Sequence, residues 1–242
     1  MADTTEKVLR IEPGDEVFGR KYVWQLPVRI THWANAIAIA FLFCTGLYIA
    51  SPVLMPTGEA YKSFLMGKVH LIHFSFAYVL LCGWLLRSYW FWVGNNYARS
   101  GFPMVWKKVW WEDLGQQGWR YVKNSPGAPH LGHNSLAGLS YTLIVVMTGA
   151  FQLITGFALY SEIHPHGFWG HVVGWVIPLL GGPQTTRTWH HMAAWMFLVF
   201  FIVHIYIVLF DGVNFRSGLI SSMVSGFKYY KDGDKDPASW IS

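Results

Sequence analysis

His190 and His204 stand fourteen residues apart in one uncharged run. At 100° per residue that interval is almost four turns, so on a helix both imidazoles project from one face, roughly 21 Å apart along the axis. His191 then faces elsewhere. An ionisable side chain inside a bilayer is expensive, which makes an intramembrane histidine a functional candidate by default. Three more stand in or at the ends of comparable runs: His32, His70 and His73. Imidazole is a common metal ligand, and two neutral imidazoles on one iron leave no open coordination position. The chemistry they offer is electron transfer on a b-type haem. The two cysteines, Cys44 and Cys82, lie inside apolar segments and belong to no Cys-x-x-Cys-His. Covalent c-type attachment, a disulfide framework and a cysteine-ligated cluster are all excluded.

The elements that carry these histidines are read from hydropathy. Of 242 residues 53% are hydrophobic and 13% charged, with the apolar ones in long blocks. That is a membrane composition rather than that of a soluble domain. Four blocks reach the length that a hydrocarbon core of roughly 30 Å demands of a helix. Segment I covers about 30–50, segment II 69–91, segment III 136–160 and segment IV 188–210. The expected fold is all-α: one transmembrane cytochrome b domain over 1–242, a four-helix bundle holding haem between helices I, II and IV. Segment III contains no histidine.

Charge sets the orientation. Fifteen of the Lys and Arg residues fall in the N-terminal tail, the II–III loop and the C-terminal tail, whereas Lys62, Lys68 and Arg187 fall on the other side. Positive loops stay inside, so both termini are expected in the cytoplasm. The formal net charge of +5 is this asymmetry and contains no basic run of the kind that binds nucleic acid. The first 29 residues carry ten charges and no apolar core before Ile30, unlike a cleavable signal peptide. The uncharged stretch 163–186 is not a fifth span: Pro165, Pro178 and Gly181-Gly182 break it, and a fifth crossing would export the basic tail. A short helix on the membrane surface is expected there. The stretch 102–121 mixes Trp106, Trp110, Trp111 and Trp119 with Lys107, Lys108 and Arg120, as an interfacial segment does. The tail after Asp211 reads as polar and partly mobile.

Orientation then pairs the histidines by depth. His32 lies near the cytoplasmic end of helix I, level with His204; His70 and His73 lie near the periplasmic end of helix II, level with His190. Two pairs, one per leaflet, suit two six-coordinate haems in a bundle core. On helix II, His73 is one turn deeper than His70, where an uncoordinated imidazole costs more, so His73 is preferred. Gly46, fourteen residues after His32, faces the periplasmic site and clears space for a porphyrin as readily as for a close helix contact. Arg187 and Lys68 stand at helix ends where haem propionates or headgroups would attract them. His130, His133, His164, His166 and His171 are expected at surfaces or interfaces.

The runs Arg29-Ile30-Thr31-His32-Trp33 to Thr45-Gly46 and Arg187-Thr188-Trp189-His190-His191 to His204 resemble the signatures of the b-type cytochrome subunit of membrane-bound nickel-iron hydrogenases. The likeness takes in Leu71-Ile72-His73-Phe74, Gly132-His133-Asn134 and the stretch Thr155-Gly156-Phe157-Ala158-Leu159-Tyr160-Ser161-Glu162. The resemblance implies an inner-membrane subunit of a respiratory chain, related to the formate dehydrogenase gamma subunit, with no hydrogen-activating site of its own. Its partners would be the hydrogenase small and large subunits, the lipid bilayer and a quinone, which Arg29, Asn35, His133 and Asp211 would meet at the depth of the cytoplasmic site. It implies two haem b groups, the periplasmic one held by His73 with His190 and the cytoplasmic one by His32 with His204. Three other classes compete: a cytochrome b of another respiratory dehydrogenase, a histidine-lined transition-metal transporter, and a di-iron membrane oxygenase. The transporter would want intramembrane carboxylates, and the oxygenase would want histidines clustered at short spacing. Neither pattern is present in the spans.

Overall fold

The computed structural model describes residues 19–53, 63–123, 125, 130–215, 218–230 and 236, with the side chains of 214 and 215 excepted. In chain order the elements are β1 (Gly19–Tyr22), α1 (Leu26–Ala50), α2 (Leu65–Val93), α3 (Asn96–Arg99), α4 (Lys108–Val122) and α5 (Ser135–Ser140). A π-helical stretch (Tyr141–Thr148) joins α5 to α6 (Gly149–Ser161), and α7 (Phe168–Val173), α8 (Val176–Leu179), α9 (Pro183–Phe215), α10 (Leu219–Ser225) and β2 (Phe227–Tyr230) follow. Four of these helical stretches are long and apolar enough to cross a membrane: Leu26–Ala50, Leu65–Val93, Ser135–Ser161 and Pro183–Val213. The protein is an all-α membrane protein that, among the described residues, also carries a two-stranded sheet. The interrupted stretch 163–186 holds α7 and α8, both too short to span, and its last four residues, from Pro183, already belong to α9.

The helices overrun the uncharged blocks for identifiable reasons. Pro27 and Pro183 occupy the first turns of α1 and α9, where a missing N–H costs nothing and the fixed φ suits a helix. Ahead of Pro183, Gly181 and Gly182 take φ of 88° and 109°, a left-handed turn that delivers the chain into α9. At its other end α9 runs past Asp211, because that carboxylate is paired by Arg120. The third apolar stretch is not the continuous α-helix expected from hydropathy. Its π-helical middle has more residues per turn, which rotates the face presented by α6 away from any 3.6-residue projection.

The chain divides into two compact units. The first comprises Met1–Ile30, Arg87–Val145 and Phe201–Ser242. Its apolar core is Val23, Trp24, Val28, Tyr97, Ala98 and Leu131. β1 and β2 pair antiparallel with Gly19 opposite Tyr230 and Tyr22 opposite Phe227, so the C-terminal tail has structure that its polarity did not suggest. Gln25 ties this core together, its Oε1 accepting from Trp90 Nε1 and Asn95 N at 2.9 Å each. Asn95 and Asn134 cap α3 and α5 by accepting from Ala98 N and Ala137 N.

A buried polar lattice extends this unit. Asp113 accepts from His130 Nε2 at 3.0 Å and from Ser135 N at 3.0 Å. Asp211 takes Arg120 and, at 2.9 Å, the hydroxyl of Tyr121. Lys228 donates to the backbone oxygen of His130 at 2.9 Å. The face that α4 buries is therefore Trp110, Asp113, Gln117 and Arg120, while Trp106, Trp111 and Trp119 are exposed as an interfacial segment would have them. Trp110 departs from that expectation, and so does His130: it is buried because a carboxylate seventeen residues upstream pairs with it.

The second unit, Thr31–Leu86 and Val146–Phe200, packs parts of α1, α2 and α6 around Ala38, Leu80, Leu153, Phe157 and Ala158, with Val173 and Val176 from α7 and α8. Phe157 stacks on Trp169 at 3.9 Å, and Trp169 Nε1 donates to Tyr78 Oη at 2.8 Å, which fastens α7 to the helices. Phe41 stacks on Phe76, and Phe43 meets Trp195 edge-on. Among the four apolar spans the third is the most buried, 39% of its window against 6–11% for the others. The helix without a histidine is thus the one most surrounded by protein.

Candidate functional site

His73 on α2 and His190 on α9 both belong to the second unit and are half-buried. Each ring is gripped by a Thr-Gly dipeptide on another helix. Thr45 Oγ1, on α1, lies 2.8 Å from His73 Nδ1, and a Cβ added to the adjacent Gly46 would meet His73 Cε1 at 3.4 Å. Thr155 Oγ1, on α6, lies 2.8 Å from His190 Nδ1, and a Cβ on Gly156 would meet His190 Cε1 at 3.1 Å. In both cases the hydroxyl holds the Nδ1 corner and the missing side chain admits the Cε1 edge. Nε2 of each ring has no hydrogen-bond partner among the described residues.

This arrangement fits a haem. A metal-bound imidazole needs one nitrogen engaged by the protein and the other left for the iron; in both rings Nδ1 is engaged by a threonine and Nε2 has no hydrogen bond among the described residues. Gly46 had drawn notice through its spacing from His32; what it does is let the ring of His73 lie against the backbone of α1. Thr45, Thr155 and Gly156 were not expected as site residues, since haem was expected between helices I, II and IV and helix III has no histidine. The dipeptide alone is a weak signal, because Thr148-Gly149 on the same stretch meets Trp84 and Phe197 instead.

The remaining candidates are placed as follows. His70 Nδ1 donates to Met66 O of its own helix at 2.9 Å, and its ring leans on Phe74. Arg187 pairs with Glu162 at 2.7 Å on an exposed surface, a carboxylate that can fill the place first offered to a propionate. Lys68 is exposed. His191 lies by Trp195, and His164, His166 and His171 are exposed, as expected. His32, in the second unit, is half-buried and edge-on to Trp33 at 5.1 Å. His204, in the first, is half-buried on α9, the continuous helix that also bears His190.

Of the residues considered for a quinone, Arg29 donates to Val224 O, and Asn35 lies against Gly83. His133 Nδ1 is 3.1 Å from Ser100 Oγ, with its ring edge-on to Trp24, and Asp211 is committed to Arg120 and Tyr121. A metal held by protein side chains alone usually has three or four donors. No group of three His, Cys, Asp or Glu side chains suited to a metal occurs among the described residues.

Residues 23–226 match the family model described as prokaryotic cytochrome b561. The chain is 39% identical to a probable Ni/Fe-hydrogenase B-type cytochrome subunit of Cupriavidus necator, over 87% of this chain and 88% of that one. It is 38% identical to a protein of the same description from Azotobacter vinelandii, over 96% and 99%. A probable Ni/Fe-hydrogenase 1 B-type cytochrome subunit of Escherichia coli K12 is 35% identical over 88% and 92%.

Proposed function

The chain belongs to the prokaryotic cytochrome b561 family, and from that premise we propose that it is the membrane subunit of a nickel-iron hydrogenase that carries electrons from the small subunit to a quinone. A b-type cytochrome holds haem b. The observation that carries the proposal is the pair His73 and His190, each fixed at Nδ1 by a threonine and each with Nε2 left for a metal. Haem b between two imidazoles supplies one-electron transfer with no position open to a substrate.

His73 with His190 is proposed as the ligand pair nearer the periplasm, and His32 with His204 as the pair nearer the cytoplasm. The second pair is supported by the fourteen-residue interval on the unbroken α9 and by the motif around His32. Thr45 and Thr155 orient the first two rings, and Gly46 and Gly156 make room for them. The proposed location is the bacterial inner membrane with both termini cytoplasmic, supported by the bias of Lys and Arg toward the tails and the II–III loop. The names of the relatives favour hydrogenase over another respiratory dehydrogenase as the electron donor.

The test is a membrane preparation with and without the chain. Hydrogen-dependent reduction of an added quinone should require the chain, while hydrogen-dependent reduction of a soluble dye by the hydrogenase dimer should persist without it. Equal quinone reduction in both preparations would reject the proposal.

A further inference from the structure

We propose that Thr45 and Thr155 are positioning residues that set the tautomer and ring orientation of His73 and His190, and so hold down the reduction potential of the haem between them. The inference rests on the ligation proposed above. A threonine hydroxyl has a single proton to donate. Thr45 Oγ1 lies 2.6 Å from Phe41 O, and Thr155 Oγ1 lies 2.7 Å from Phe151 O. A carbonyl oxygen can only accept, so in both places the hydroxyl proton goes to the carbonyl one turn back. What Oγ1 then offers the imidazole 2.8 Å away is a lone pair. That contact is a hydrogen bond only if Nδ1 carries the proton and donates it.

The tautomer follows from its partners. A neutral ring with its proton on Nδ1 has its lone pair on Nε2, which is the form that binds a metal. In the other tautomer either Nδ1 faces Oγ1 lone pair to lone pair, or the hydroxyl turns to the ring and leaves its oxygen against the carbonyl. Each threonine thus excludes the wrong tautomer before any metal arrives. Gly46 and Gly156 lie against the same ring edge, so rotation about the hydrogen bond is limited by the helix backbone.

The device occurs twice, from two different helices, α1 and α6, once for each proposed ligand of one site. An Nδ1–H that donates a hydrogen bond makes the imidazole a stronger base, which favours ferric over ferrous iron. Losing the hydroxyl should therefore raise the potential. The side chain of Thr155 is fully buried, so water has little access to replace the bond at that end.

The purified, haem-loaded chain would be titrated redoximetrically with optical detection, as the native protein and as Thr45→Val, Thr155→Val and the double variant. Valine keeps the shape and removes the hydroxyl; Thr45→Ser and Thr155→Ser keep the hydroxyl. The expected result is retained low-spin haem with one titrating component moved upward, on the order of tenfold in its equilibrium or about 59 mV for one electron. The double variant should move further, and the serine variants should titrate with the native protein. Haem lost with valine but kept with serine would also support the hydroxyl's role. Valine variants that titrate as the native protein, serine variants that shift as far as valine, or haem lost from both would overturn it. His73→Ala and His190→Ala, measured alongside, separate the two levels. A full haem complement in those variants rejects the ligand pair itself, whereas haem lost there with an unmoved potential in the valine variants rejects this inference alone.

Discussion

Alanine at Gly156 should damage the haem site far more than alanine at Gly46. A Cβ at Gly156 would stand 3.1 Å from His190 Cε1, with Nδ1 and Nε2 of that ring at 3.9 Å; at Gly46 it would stand 3.4 Å from His73 Cε1. Carbon atoms rest at about 3.5–4.0 Å, so His190 must retreat by roughly half an ångström while His73 needs little adjustment. Retreat is obstructed, because Nδ1 of His190 is bonded to Thr155, the residue next to Gly156 on the same helix. Moving the ring off the new methyl stretches that bond. Overpacking of this kind costs about 1–3 kcal/mol, which at about 1.4 kcal/mol per decade is roughly fivefold to a hundredfold in haem affinity. Alanine also favours a helix over glycine by about 1 kcal/mol, so thermal stability would mask the loss and haem itself must be followed. The assay is haem per polypeptide and the rate of haem transfer to an excess of scavenging apoprotein. Gly46→Ala losing haem as readily as Gly156→Ala, or neither losing any, would refute the reasoning.

Other consequences concern the helix II choice and the first unit. His70→Ala should retain the full haem complement, since His70 stands one turn nearer the end of its helix than His73 and its Nδ1 is held by its own helix at Met66 O, whereas His73 is held by Thr45 of α1; haem lost there and kept in His73→Ala would exchange their roles. Asp211→Ala leaves Arg120, 6% exposed, without its half-buried carboxylate. That should cost about 3–5 kcal/mol of stability in detergent melts, and a loss below about 1 kcal/mol would mean that water solvates the guanidinium. Burial pushes Lys228 from 10.5 down to about 8, against the opposing pull of Asp211. Between those values the unfolded chain binds more protons than the folded one, so stability should rise with pH from about 8 to 10 and flatten in Lys228→Met. Tyr121, raised by burial and by Asp211, acts in the opposite sense and only above about 10, where unfolded tyrosines ionise. Denaturant midpoints that fall or stay level between pH 8 and 10 would contradict the Lys228 assignment.

The spans were legible because eighteen or more uncharged residues in sequence have few other fates; the preference for His73 over His70 rests on depth and on the motif that the resemblance carries. Span ends were less legible. Asp211 looked like a stop, but its charge is cancelled by Arg120, ninety-one positions away, and no local pattern announces such a partner. The same holds for His130, assigned to a surface until Asp113 is seen beside it, and for β1 and β2, two four-residue strands from opposite ends of the chain. The π-helical turn in the third span defeated any projection of faces, and so Thr155 and Gly156 were read as part of a motif without a task. Thr45-Gly46 was in view for its spacing, yet its contact with His73 depends on how α1 and α2 pack, which periodicity does not encode.

The most direct test is a dithionite-reduced minus air-oxidised visible spectrum of the purified chain, with haem counted per polypeptide, for the native protein, His73→Ala and His32→Ala. Two low-spin b-type haems in the native protein, with one lost in each variant, are expected. A colourless native protein, or a full haem complement in both variants, would contradict the assignment of these histidines to haem.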